Sequence, residues 1–397
     1  RVLAPAVEYA EQGFPASPTL AVAARRLGAL DGAETADFTA GGTLHAGDAV
    51  RRPGAARALR AIAREGRAGF YQGEFGDGLL ALGAGEFTEE DLAAPNADWV
   101  DALSVQAWDR RIWTAPPNSQ GYLTLAGAWI AAGLGLPAEP DDPRWAHLLV
   151  EAARQAAHDR VAVLHDRADG VALLSPERLS PRRAAVDPER ATRLGGAFAG
   201  GGTVGLCAVD AAGMAVSLLE SNFQGFGSML VVPGTGLFLH NRGSAFSLVE
   251  GHPAEYGPRR RPPHTLSPTL VTGPDGSLDC VAATMGGDSQ PQILLQLLAR
   301  RLLAGEDPGD AVAAPRFVLA GEEAGVGTWD QGGRVRVALE DSAPRAWVEG
   351  LAARGHEVVV SPSWAGDFGH AHLIVAAGPT LAGAADPRAL GGAAAGW

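Results

Sequence analysis

A layered α/β fold is predicted by three observations. Helical signals dominate the first half of the chain, strand-like and helix-like runs alternate through the second, and helices lie between and after the two strand groups of that second half. Elements ordered in this way bury their apolar faces by stacking in layers around a common core. The pattern alone leaves the strand order open.

The elements follow in sequence. Ser17-Pro18 supplies an N-cap and a first-turn proline for a helix over 19–30, and Thr88 with Asp91 three residues on has the form of a capping box. An apolar helix is expected over 121–130, bounded by Gly133-Leu134-Gly135. A longer one follows Pro143, where Trp145, Leu148, Leu149, Ala152 and Ala156 share a face. The stretch 175–202, rich in Arg, Pro and Gly, reads as a surface loop. Strands over 203–210 and 214–220 are joined by the turn Asp210-Ala211-Ala212-Gly213. A helix over 290–303, a strand over 335–339, a helix over 344–354 and strands over 357–360 and 370–376 complete the pattern, with no internal repeat.

Composition narrows the chemistry. With 397 residues, 46% of them hydrophobic, the chain can bury a substantial core. Its net charge of −13 argues against a phosphate-reading surface, so no nucleic-acid partner is expected. The sequence has no lysine, which excludes a Walker phosphate loop and a lysine Schiff base. Cys207 and Cys280 are the only cysteines, each in an apolar run, and read as buried free thiols. No uninterrupted apolar run approaches the roughly twenty residues of a membrane span, so no membrane role is expected.

Several polar groupings read as bland. His158-Asp159-Arg160 reads as a solvated helix face, since neighbours on a helix point about 100° apart. Arg259-Arg260-Arg261 reads as a loop. His370 and His372 would share one strand face but lack a third ligand, so no metal is expected.

The most informative stretch is Gly200-Gly201-Gly202-Thr203-Val204-Gly205, where a glycine run gives way to a strand beginning with threonine. Cleavage of the Gly202–Thr203 bond would place a free α-amino group beside the Thr203 hydroxyl, uniting base and nucleophile in one residue. The unperturbed pKa of such an amine, about 8, suits proton transfer near neutrality.

Downstream come Ser221-Asn222-Phe223-Gln224-Gly225-Phe226-Gly227-Ser228, Pro233-Gly234-Thr235-Gly236, Asn241-Arg242-Gly243, Arg261-Pro262-Pro263-His264-Thr265-Leu266-Ser267-Pro268-Thr269 and Met285-Gly286-Gly287-Asp288. In this order and spacing they resemble the small-subunit half of the γ-glutamyltransferase (γ-glutamyltranspeptidase, glutathione hydrolase-like) family of self-processing N-terminal-nucleophile hydrolases. The resemblance extends upstream through Ala4-Pro5-Ala6, Gly13-Phe14-Pro15 and Pro116-Pro117-Asn118-Ser119-Gln120-Gly121, and downstream to Ala385-Asp386-Pro387-Arg388. It implies a four-layer αββα sandwich with Thr203 opening a central strand. It also implies a large-subunit portion over 1–202, mostly helical, and a small-subunit catalytic portion over 203–397, together one packed domain. Residues 1–14 align with an internal part of the family's large subunit, so a preceding segment is expected to be missing. Any signal peptide would sit there, which leaves the compartment unread, with the cytoplasm as the default.

The resemblance assigns catalytic roles to Thr203 as nucleophile, to Ser221 as its hydrogen-bond partner and to Gly286 and Gly287 as oxyanion donors. Paired glycines suit that last role because backbone N–H groups approach a tetrahedral intermediate with no Cβ in the way. Asp288 stands where a carboxylate would cap the following helix.

The substrate-binding positions depart from the pattern. Phe223 replaces an asparagine, Arg242 a glutamine, and Ala245 the aspartate that holds the substrate α-ammonium group; His264 and Thr265 replace a pair of serines. A buried ammonium without an anionic partner is costly. A guanidinium instead favours a carboxylate. The expectation is a divergent self-processing threonine amidohydrolase or acyltransferase, without a cofactor, that passes a γ-glutamyl or related acyl group to water or an amine. A cephalosporin or glutaryl amide is the alternative substrate class, and an uncleaved scaffold or binding protein the alternative function. The partners expected are the small amide, the acceptor, and each processed subunit for the other.

Overall fold

The computed structural model describes residues 1–29, 35–39, 42–192, 202–320 and 335–396. The chain divides into two compact units, Arg1–Trp99 with Asn222–Asn241, and Val100–Ser221 with Arg242–Trp397. The expected cut between 202 and 203 therefore falls within the second unit's stretch of chain.

Local signals set most helix starts in the first unit. Ser17 Oγ accepts from the Leu20 backbone N–H at 3.0 Å to cap Pro18–Ala24, which continues as a 3-10 turn over Arg25–Ala29. Thr88 and Asp91 form the reciprocal capping box of Glu89–Ala93. The inserted segment Asn222–Asn241 supplies Phe226 and Phe238, whose rings meet Phe38 at 5.7 and 5.8 Å beside buried Leu27, Leu44 and Val50. It also supplies Val232 to a second cluster with Phe75, Leu79 and Leu92.

The second unit is built on a six-stranded sheet. Its strand order is Thr380–Ala385, His370–Ala377, Leu278–Met285, Thr269–Thr272, Arg110–Thr114 and Leu103–Ala107, with every neighbour antiparallel. One face buries Ile112, Val271, Ala282 and Leu373 in a core shared with the helices Tyr122–Ala132, Pro143–Ala157 and Gln290–Ala299. The hairpin Gly202–Val209 and Ala215–Phe223 lies against the other face. Ser217 Oγ donates to the Ala282 carbonyl at 2.8 Å, and a Cβ on Gly205 would come within 3.2 Å of the Ala283 Cβ. The sheets thus approach closely beside Thr203. Asp210 builds the hairpin turn as expected, its Oδ1 accepting from the Ala212 and Met214 backbone N–H groups at 2.9 Å.

A smaller sheet pairs Phe317–Ala320 antiparallel to Arg336–Glu340, which runs parallel to Glu357–Ser361 after the crossover helix Arg345–Ala353. In the Asp386-Pro387-Arg388 motif the two charged side chains are buried. Asp386 pairs with Arg316 at 2.7 Å and accepts from the Ala371 N–H, while Arg388 pairs with Glu340 and with Asp386 at 3.0 Å.

Three expectations are corrected. The stretch 175–202 is not all loop, because Ser175 caps the helix Pro176–Ala184 and Leu179 is fully buried; residues 193–201 lie outside the described residues. The long helix ends at Ala157, so 158–160 are not one helix face. A new short helix, Arg160–Val163, follows. Asp159 there takes both Arg178 and Arg182, and Arg160 is buried. Cys280 is buried as expected whereas Cys207 is half-buried, and both are free.

Candidate active site

The hairpin carries Thr203 and Ser221 on adjacent strands, and Thr203 Oγ1 donates to Ser221 Oγ at 3.0 Å. Arg242 opens the 3-10 turn Arg242–Ala245. Its Nη2 donates to Ser221 Oγ and its Nη1 to Thr265 Oγ1, each at 3.4 Å. Four expected residues therefore form one hydrogen-bond chain, Thr203, Ser221, Arg242 and Thr265. The scissile bond itself borders residues outside the described set.

Arg242 is only 8% exposed. Burial lowers its pKa to about 10, against the opposing pull of Asp288, and it stays cationic near neutrality. His264 lies beside this charge. Its Nδ1 accepts from the Leu266 backbone N–H at 3.3 Å, so the neutral ring carries its proton on Nε2. Burial and then the Arg242 charge push the imidazole down to about 4. The unfolded chain thus binds this proton from pH 6.5 downward while the folded one does not until about 4. Stability present above 6.5 is lost as pH falls through that window. The thermal midpoint is expected to drop between pH 6.5 and 4, more shallowly in His264→Gln; equal slopes in the two proteins would contradict this.

The glycine pair ends the strand Leu278–Met285 and starts the 3-10 turn Gly287–Ser289 ahead of Gln290–Ala299. Gly286 has φ 143° and Gly287 φ 54°, conformations that favour glycine. A Cβ on Gly286 would also come within 2.8 Å of Ile293 Cδ1. Gly287→Val is expected to lower kcat about a hundredfold, the usual cost of a lost oxyanion donor, with a smaller change in KM. Unchanged turnover in a folded variant would reject the turn as the oxyanion site.

Asp288 does not cap the helix, correcting the expectation. Its buried Oδ1 instead accepts from Arg160 Nη2 at 2.7 Å. Burial raises the Asp288 pKa while Arg160 and Arg242 oppose the rise. Arg160 Nη1 donates to Gln120 Oε1, and Gln120 Nε2 donates at 3.0 Å to both the Thr265 and Gly287 carbonyls. Sequence reasoning gave Gln120 and Arg160 no role; only the Pro116–Gly121 motif pointed near them.

Ala245 is half-buried at the end of its turn and offers no charge. Phe223 is a buried residue with φ 75° that ends its strand and belongs with the first unit. His370 and His372 share a strand face as expected.

Elsewhere among the described residues, His147, Glu151 and His356 bring possible ligand atoms within 4.8 Å of one another. Each already has a protein partner. The Asp187 carbonyl can only accept from His147 Nε2–H, which leaves Nδ1 to accept from His356 Nε2 at 2.8 Å. Glu151 takes Arg154 Nη1 and the Thr192 backbone N–H. Burial, then the neighbouring His147 and the charges of Arg154 and Arg354, hold His356 down to about 3, so its ring is neutral near neutrality. The cluster ties the Pro143–Ala157 helix to the residue before Glu357–Ser361.

Comparison with known proteins gives a consistent family. The gamma-glutamyltranspeptidase family profile matches residues 1–396. Oxamate amidohydrolase proenzyme of Klebsiella pneumoniae is 35% identical, and the alignment covers 99% of this chain and 75% of that protein. The glutathione hydrolase-like YwrD proenzyme of Bacillus subtilis is 33% identical over the same shares. The crystal structure of cephalosporin acylase from Bacillus halodurans superposes with a TM-score of 0.86 at 32% identity, covering 99% of this chain and 73% of that one. The fold is the αββα sandwich of N-terminal-nucleophile hydrolases, and its helix, sheet and hairpin layers are those of the second unit. The chain belongs to the γ-glutamyltranspeptidase family of self-processing amidohydrolases and acylases.

Proposed function

We propose that this protein is a self-processing threonine amidohydrolase whose substrate is a small amide bearing a carboxylate. The observation that carries this reading is the chain from Thr203 Oγ1 through Ser221 Oγ to the buried Arg242 guanidinium, which sets the candidate nucleophile two hydrogen bonds from a fixed cation. Cleavage before Thr203 frees its α-amino group, which takes the Oγ1 proton as the oxygen attacks the amide carbon. Gly286 and Gly287 N–H groups receive the oxyanion. The Thr203 α-ammonium passes that proton to the substrate nitrogen as the C–N bond breaks and the amine or ammonia leaves. The α-amino group then takes a proton from water, or from an acceptor amine, which attacks the ester and releases the acyl group from Thr203 Oγ1.

Arg242 binds the substrate carboxylate, and the neutral His264 adds an Nε2–H donor. Ala245 provides no anion for an α-ammonium group, whose burial without a partner typically costs several kcal/mol. The relative named for oxamate fits this reading, since oxamate is an amide whose carbonyl adjoins a carboxylate. The relationship to a cephalosporin acylase supports a cephalosporin amide as the alternative substrate class.

The test compares oxamate, glutaryl-anilide, γ-glutamyl-anilide and glutathione in wild type and in Ala245→Asp. Wild type is expected to prefer the substrates without an α-ammonium by roughly a hundredfold, and Ala245→Asp to narrow that gap. A strong wild-type preference for glutathione that Ala245→Asp leaves unchanged would overturn the substrate assignment.

A further inference from the structure

We infer that Gln120 is a positioning residue whose single side-chain amide holds the Gly286-Gly287 turn and the Thr265 wall in register, an inference that rests on the proposed use of that turn as the oxyanion site. Gln120 is fully buried. Its amide spends both kinds of hydrogen-bonding group here: Nε2 donates to the Gly287 and Thr265 carbonyls, each at 3.0 Å, and Oε1 accepts from Arg160.

The turn needs such outside support because two successive glycines with positive φ lack the steric limits that fix other residues. Three carbonyls are pinned. Thr284 Oγ1 donates to Met285 O at 2.7 Å, the Ser289 N–H donates to Gly286 O at 2.9 Å, and Gly287 O accepts both the Gln290 backbone N–H and Gln120 Nε2. In a planar trans peptide the N–H points opposite to its C=O. Pinning Met285 O and Gly286 O therefore aims the Gly286 and Gly287 N–H groups away from those partners. At Gly287 the Gln290 N–H closes the turn on itself, and the Gln120 bond is the one that ties its carbonyl to the Thr265 segment outside the turn.

The same amide group reaches the residue beside Arg242, since Thr265 receives Arg242 Nη1 on its hydroxyl. Gln120 itself is anchored at both ends. Its backbone N–H donates to the His264 carbonyl at 2.9 Å, and Arg160 bridges its Oε1 to Asp288, the residue after Gly287. One side chain thus connects the site of charge development to the site of carboxylate binding.

The experiment uses Gln120→Met, which fills the space without donors, and Gln120→Glu, which keeps the Arg160 contact and removes both donors. Hydrogen–deuterium exchange over residues 284–290 and steady-state kinetics on the amide wild type hydrolyses are measured for each. Exchange at that turn is expected to rise about tenfold, and kcat to fall between about ten- and a hundredfold, as misplacement of a reacting geometry does, with KM changing less than about threefold. Glu decides if Met fails to fold. Exchange unchanged from wild type, or kcat within about twofold of it, overturns the positioning role. A wild type inactive on every amide tested would count against the proposed function instead, and the exchange measurement alone would then decide the role of Gln120.

Discussion

Thr203→Ala is expected to remain one chain and to lose amidase activity by roughly a thousandfold or more, as removal of a nucleophile does. The reason is that the Thr203 hydroxyl is asked to act twice, first on its own preceding peptide bond and then on the substrate. Ser221 sits 3.0 Å from that hydroxyl in a position to orient it for both. Thr203→Ser keeps the oxygen and loses only a methyl group, so it is expected to process and turn over at a reduced rate. Gel electrophoresis of both variants with an amide assay checks this; cleavage of Thr203→Ala at the same bond would remove Thr203 as the processing nucleophile.

Arg242→Met is expected to raise KM for carboxylate-bearing amides by about a hundredfold, in line with the roughly 2–5 kcal/mol cost of truncating one partner of a buried charge pair. Methionine fills much of the buried volume and leaves Ser221 and Thr265 without the guanidinium. A neutral amide of the same length is expected to lose far less, and that difference separates charge recognition from a general loss of structure. Equal losses for the charged and neutral amides would assign Arg242 a structural role.

The features legible in the sequence were those written in neighbouring residues. The Thr88 capping box, the Ser17 cap and the Asp210 turn each depend on hydrogen bonds spanning only a few positions. The Pro176–Ala184 helix carried an equally local signal in Ser175-Pro176, but the Arg, Pro and Gly content of the wider stretch masked it. Long-range partners were not legible. Arg160 reads as solvated until the fold brings Asp288 and Gln120 to it, 128 and 40 residues away. The joining of 222–241 to the first unit likewise depends on aromatic contacts with Phe38 far away in sequence. At the site, Thr203, Ser221, Arg242 and Thr265 follow from motif register and meet in one hydrogen-bond chain. The turn's supporting residues leave no such mark, because a buried glutamine amide has no distinctive spacing and its partners lie 145 and 167 residues away.

The most direct test of the account is N-terminal sequencing of the purified protein after denaturing electrophoresis. Two fragments of near-equal length are expected, the smaller beginning Thr203-Val204-Gly205-Leu206. A single intact chain that nevertheless hydrolyses amides, or a cut at any other bond, would contradict the central claim that Thr203 becomes a catalytic N-terminus.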